Sequence, residues 1–172
     1  DTIISELYDA KEYGSILTVT QQDWSALYAR FAEIEEDIHI SREAALRGLL
    51  PLVQVAEVLA QKYDVVVTNP PYMGASGMSA KLSDYVKTNY PDVKSDMSTV
   101  CMEKTIAMCK QNGYMAMINI PVWMFISSYE TLRYTLIKNN RIISMIHPGR
   151  GIFGSDFGTP SFVNGENYIK DY

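Results

Sequence analysis

Asp64-Val65-Val66-Val67-Thr68-Asn69-Pro70-Pro71-Tyr72 is a β-branched run stopped by two prolines. Such a run ahead of a breaker predicts a short strand, Asp64 to Thr68, buried on both faces of a parallel sheet. A loop rich in Gly, Ser and Met follows. Asp96 to Lys110 reads as a helix closed by Asn112-Gly113, and Tyr114 to Ile120 reads as the next strand, ending at Pro121. Strand, helix, strand makes a βαβ unit. Ser127 to Lys138 supplies a further helix, Arg141 to His147 a third strand, and Thr159 to Val163 a fourth after a glycine-rich bend. The link between the last two strands is too short for a helical crossover, so they are expected to pair antiparallel at one edge. The fold class is α/β: a mostly parallel, Rossmann-like sheet with an antiparallel edge strand, preceded by a helical segment.

That preceding segment, residues 1–62, has a different rhythm. Trp24, Leu27, Tyr28, Phe31, Ile34 and Ile38 recur at helical spacing, with Glu33, Glu35, Glu36 and Asp37 forming a solvated acidic end. From Ser41 to Gln61 a second helical pattern contains Pro51. A short helix, a turn at Gly48 and a second helix are expected there, with both apolar stripes in the core. Charge also changes near Tyr63: residues 1–62 carry eleven acids against five bases, and residues 63–172 nine against ten. The domain expectation is therefore a helical spacer over 1–62 and a sheet-forming unit over 63–172.

Composition narrows the function classes. The 172 residues are 47% hydrophobic and 20% charged, an ordinary globular balance. No apolar run approaches the roughly 18 residues of a membrane span, so no membrane association is expected. Neither segment has the basic excess of a self-sufficient nucleic-acid binder, so a nucleic-acid substrate would need phosphate-binding surface from elsewhere. Cys101 and Cys109, read on one helix, would lie about 12 Å apart along its axis, too far for a disulfide. A reduced, cytoplasmic protein is expected. His39 and His147 are well apart in sequence, and no cluster has metal-ligand spacing. The start at Asp1 and the end at Tyr172 suggest a piece of something longer.

Gly149-Arg150-Gly151-Ile152-Phe153-Gly154 satisfies the dinucleotide pattern G-x-G-x-x-G after an expected strand. Its context fails, because Ser155 to Ser161 is turn-like and opens no helix, and no acidic residue follows at the required distance. A bend presenting Phe153 is the better reading, with Arg150 on a solvated surface.

The chemistry sits at Asn69-Pro70-Pro71-Tyr72. Two prolines remove two backbone donors, leaving carbonyl oxygens and one amide side chain on a stiff platform. Such a platform suits a planar –NH2 group, held between the Asn69 side-chain oxygen and the Pro70 carbonyl. Holding both hydrogens draws the nitrogen out of conjugation and frees its lone pair for an electrophilic methyl group, with no general base required first. Tyr72 can stack on a base extruded from a duplex. The plain alternative is a rigid turn after a buried strand; placement at a strand's carboxyl end, where α/β sheets bind ligands, argues for a site.

These residues resemble motif IV of the S-adenosylmethionine-dependent amino-methyltransferases, whose gamma-class DNA members methylate adenine at N6. Ser95-Asp96 leading a helix with Glu103-Lys104, then Asn112 to Ile118 and Pro121, resembles motifs V and VI in order and spacing. Tyr72-Met73-Gly74, Lys94-Ser95-Asp96, Ser127 to Glu130 and Gly149 to Gly154 look most like the large methyltransferase of the BREX phage-resistance systems. The likeness is good over roughly 63–170 and loose over 1–62. It implies a methyltransferase sheet carrying motifs IV to VIII, DNA as partner and S-adenosylmethionine as cofactor. It further implies that Asn69, Pro70, Pro71 and Tyr72 are catalytic, that Tyr72 and Phe153 sandwich the adenine, and that Asp96 and Cys101 lie against the cofactor.

Helix-cap and core readings of Asp96 and Cys101 stand beside that one, since Cys101 occupies a position often aromatic in the family. The family's cofactor-binding glycine motif has no match in 1–62, where Gly14 stands alone, and the target-recognition region would follow Tyr172. The expectation is a fragment that binds cofactor weakly or not at all by itself. Two other functions share the four-residue motif: methylation of a protein glutamine or an RNA base, and a silent binding or scaffold subunit.

Overall fold

The structure, a computed structural model, describes residues 1–36, 41–147, 149 and, as backbone, 161–166. The chain divides into two compact units, Asp1–Gln61 and Lys62–Tyr172.

The first unit is helical: α1 (Thr2–Glu6), α2 (Ala10–Tyr13), α3 (Trp24–Glu36) and α4 (Ser41–Ala60). Its buried apolar side chains, among the described residues, are Leu7, Ile16, Leu17, Val19, Val53 and Ala56. The aromatic stripe of α3, expected in the core, is only half-buried at Trp24, Leu27, Tyr28 and Phe31. Tyr28 instead donates a 2.6 Å hydrogen bond to the Glu57 carboxylate on α4. The break expected at Gly48 and Pro51 is absent, and α4 runs through as one helix. Pro51 cannot donate to the Arg47 carbonyl, but both residues are exposed, where a freed backbone oxygen costs little.

The second unit holds β1 (Tyr63–Thr68), α5 (Ala80–Asn89), α6 (Met97–Met108), β2 (Cys109–Ile118), α7 (Glu130–Asn139), β3 (Asn140–Ile146) and β4 (Ser161–Glu166). The sheet order is β1-β2-β4-β3. β1 and β2 are parallel, while β4 runs antiparallel to both neighbours. Three of the four strands thus share one direction, as expected. The reversed strand lies one place in from the edge rather than on it, because β4 returns between β2 and β3.

α6 packs on β1 and β2, and α7 on β3. Met115 and Met117 of β2 are buried, as are Val100 and Met102 of α6 and Leu132 and Leu136 of α7. The alternate side chains point the other way: Val65 and Val67 are 56% and 72% exposed, and Tyr114, paired with Val65, is half exposed. The expectation that β1 is buried on both faces is therefore corrected; the described helices that pack on this sheet leave Val65 and Val67 in solvent. Gly113 is forced at the start of the β1–β2 ladder. A Cβ there would stand 2.9–3.1 Å from the carbonyl oxygens of Lys110, Tyr63 and Asp64, all backbone.

Two expectations from sequence shift. The loop after Tyr72 contains α5, started by Ser79, whose side chain accepts a hydrogen bond from the Leu82 amide at 3.1 Å. Cys109 opens β2 rather than closing a helix, so the shared-helix argument about the cysteines falls; neither cysteine is in a disulfide. No helix among the described residues is long and apolar enough to cross a membrane.

Candidate active site

Asn69 to Tyr72 leaves the sheet at the carboxyl end of β1. The parallel register sets Thr68 beside Met117, so the tetrapeptide emerges next to the end of β2. Pro70 is buried and fixes the turn, while Asn69, Pro71 and Tyr72 are exposed. The Tyr72 hydroxyl lies 2.6 Å from Asn69 Oδ1 and 3.3 Å from the Ile118 carbonyl oxygen. With one proton to donate, it makes the shorter bond, to Asn69. Partial burial pushes the Tyr72 phenol above its ordinary range, so the hydroxyl stays a donor at neutral pH.

The chain beyond Tyr72 is tied to the start of α6. The Ala75 amide donates to the Ser95 carbonyl and the Met97 amide to the Met73 carbonyl, both at 2.9 Å, and Gly74 bridges Asp96. Asp96 caps α6: its Oδ1 accepts from the Ser98 amide at 2.8 Å and the Ser98 hydroxyl at 2.6 Å. Cys101, one turn on, is half-buried; burial and then the Asp96 charge push its thiol up to about 11. Its thiol is therefore protonated at neutral pH. Asp96 and Cys101 are thus neighbours, and both lie on the element that braces the Asn69–Tyr72 loop.

Phe153, Arg150 and most of the glycine-rich bend lie outside the described residues. Two brace residues escaped the sequence reading. Asn119, fully buried, ends β2 by donating to the Ser98 carbonyl (3.3 Å) and accepting from the Ile120 amide (2.7 Å). Arg133 Nη1 donates to the carbonyls of Trp123 (2.8 Å) and Ile126 (2.7 Å). An amide at the end of an apolar strand was the one visible signal for Asn119; nothing local marks Arg133.

Residues 6–153 match the Eco57I restriction-modification methylase family. The chain belongs to that family. The adenine-specific methyltransferase BrxX of Escherichia coli O9:H4 (strain HS) is 41% identical over 152 residues, 87% of this chain and 13% of that protein. The adenine-specific methyltransferase PglX of Lacticaseibacillus casei (strain Zhang) is 41% identical over 116 residues, 65% of this chain and 10% of that protein. This chain therefore spans about a tenth of the length of either relative. Among solved structures, a chain described as a modification subunit of a type I restriction enzyme from Vibrio vulnificus YJ016 superposes with a TM-score of 0.52. It is 16% identical and the match covers 81% of this chain and 37% of that one. That likeness bears on fold alone, and agrees with the Rossmann-like methyltransferase sheet expected from sequence.

Proposed function

We propose that this chain carries the base-holding half of the methyltransferase domain of an adenine-specific DNA methyltransferase, acting in restriction-modification or phage defence on the N6 amino group of a flipped-out adenine. The observation that carries the reading is the exposed Asn69 carboxamide, fixed at the carboxyl end of a parallel strand between buried Pro70 and the Tyr72 ring. Asn69 Oδ1 keeps one lone pair beyond that used by Tyr72, and the Pro70 carbonyl supplies a second acceptor. Together they hold both amino hydrogens, draw the nitrogen out of conjugation with the ring, and so localise its lone pair for attack on the methyl group.

S-adenosylmethionine supplies a methyl group on a positively charged sulfur. The amino nitrogen held by Asn69 and Pro70 would accept that methyl group, leaving a neutral thioether, and would release its surplus proton to solvent. On the donor side, this chain offers the half-buried Asp96 and Cys101. Asp96 Oδ1 is committed to its helix cap, so a contact to the donor's hydroxyl or amino groups uses Oδ2. Phe153 is proposed as the second wall of the base pocket. The adenine-specific names of both relatives support adenine over a protein glutamine. The remainder of a longer protein would supply the rest of the cofactor site and the DNA-recognition surface.

The test is to incubate the full-length protein with unmodified DNA and S-adenosylmethionine and hydrolyse the product to nucleosides. Mass spectrometry should detect N6-methyladenine; methylated cytosine, or methyl transfer to protein or RNA instead, would overturn the assignment.

A further inference from the structure

The loop that leaves β2 contains an exposed aromatic that the chemistry above does not use. Phe125 is 72% exposed, and Val122 and Ile126 beside it are partly exposed. The loop starts three residues beyond Ile118, whose carbonyl lies 3.3 Å from the Tyr72 hydroxyl, so it leaves the sheet at the same end as Asn69 and Tyr72.

This loop is braced rather than slack. Pro121–Met124 forms a single 3-10 turn, and the amides of Phe125 and Ile126 both donate to the Val122 carbonyl, at 3.1 and 3.2 Å. Trp123 and Tyr129 on either side are buried. Arg133 then reaches from α7 to the Trp123 and Ile126 carbonyls, one before and one after Phe125. The guanidinium holds the two flanks of the loop while the phenyl ring projects into water.

We propose that Phe125 is an apolar wedge that enters the duplex at the target base pair and fills the space the extruded adenine leaves. The inference rests on the DNA reading above. Extruding a base costs its pairing and two stacking contacts, and a planar apolar side chain inserted into the gap restores part of the stacking. A wedge must be exposed before DNA binds, must sit beside the pocket that receives the base, and must not fold back when pushed. Phe125 meets the first through its exposure, the second through the parallel β1–β2 register, and the third through the Arg133 bridge.

The test compares two duplexes with the full-length protein: one with a paired target adenine, one with the same adenine opposite an abasic site. Phe125→Ala should lower kcat/KM on the paired duplex by about tenfold or more, and the loss should shrink several-fold on the unpaired one, where extrusion is already cheap. Phe125→Trp should retain most activity on both. An equal loss on the two duplexes overturns the wedge and shows Phe125 packing against the pocket or another part of the protein. No loss on either also overturns it. If the wild type methylates neither duplex at adenine, the DNA reading itself fails, which is a separate outcome from the other two.

Discussion

The Tyr72 hydroxyl donates a 2.6 Å hydrogen bond to Asn69 Oδ1, so the residue proposed to stack on the base also orients the residue proposed to hold its amino group. The two roles separate by magnitude. A single hydroxyl contact is worth about 1 kcal/mol net, whereas stacking a base on an aromatic ring is worth about 1–3 kcal/mol. Tyr72→Phe should therefore cost no more than about fivefold in kcat/KM, and Tyr72→Ala roughly tenfold or more. Steady-state kinetics on one duplex checks this. Equal losses would mean that the ring does not stack.

Asp96 separates cap from cofactor contact. Asparagine caps a helix about as well as aspartate, while alanine costs about 1 kcal/mol. Asp96→Asn should leave hydrogen exchange at the Ser98 amide unchanged and Asp96→Ala should speed it about fivefold. If Asp96 also holds the methyl donor, Asp96→Asn weakens donor affinity in titration calorimetry with the cap intact. Donor affinity unchanged in Asp96→Asn assigns the residue to the cap alone.

Cys101 gives a pH signature. Its thiol is raised from 9.0 to about 11, so its contribution to stability is fully present below pH 9 and is lost as pH rises through 11. In a Cys109→Ser background, alkylation of Cys101 by iodoacetamide at pH 8 should run about a hundredfold slower than that of a free thiol. A rate matching a model thiol would contradict the burial described at the start of α6.

Gly113 is the position where the ladder beneath the site is least tolerant. Its missing Cβ faces three backbone oxygens that cannot move singly. Gly113→Ala should destabilise by about 2 kcal/mol and lower soluble yield, since overpacking against backbone forces β1 and β2 apart. Yield and hydrogen exchange across Val65–Thr68 measure it; wild-type protection would contradict the close approach.

Much of this was legible in the residues. Val65-Val66-Val67 before Asn69-Pro70 fixed a strand and its end, and Asn112-Gly113 and Pro121 bracketed most of the next one. Gly48 and Pro51 misled because the cost of a proline inside a helix depends on whether its turn is buried, and here Arg47 and Pro51 are exposed. α5 was missed because Leu82 and Val86 are its only buried residues, too few for a visible stripe. Val65 and Val67 read as interior because β-branched composition does not say how many layers cover a sheet. The Arg133 bridge was invisible because its partners are backbone carbonyls ten and seven residues away, and any arginine side chain looks the same in sequence.

Single-molecule sequencing of genomic DNA tests the central claim most directly, from cells expressing the full-length protein as wild type or as Asn69→Ala at matched levels. N6-methyladenine at one recurring sequence motif in the wild type, and none in the variant, is the result expected. Methylation that survives in Asn69→Ala, or adenine left unmodified by the wild type, would contradict the account.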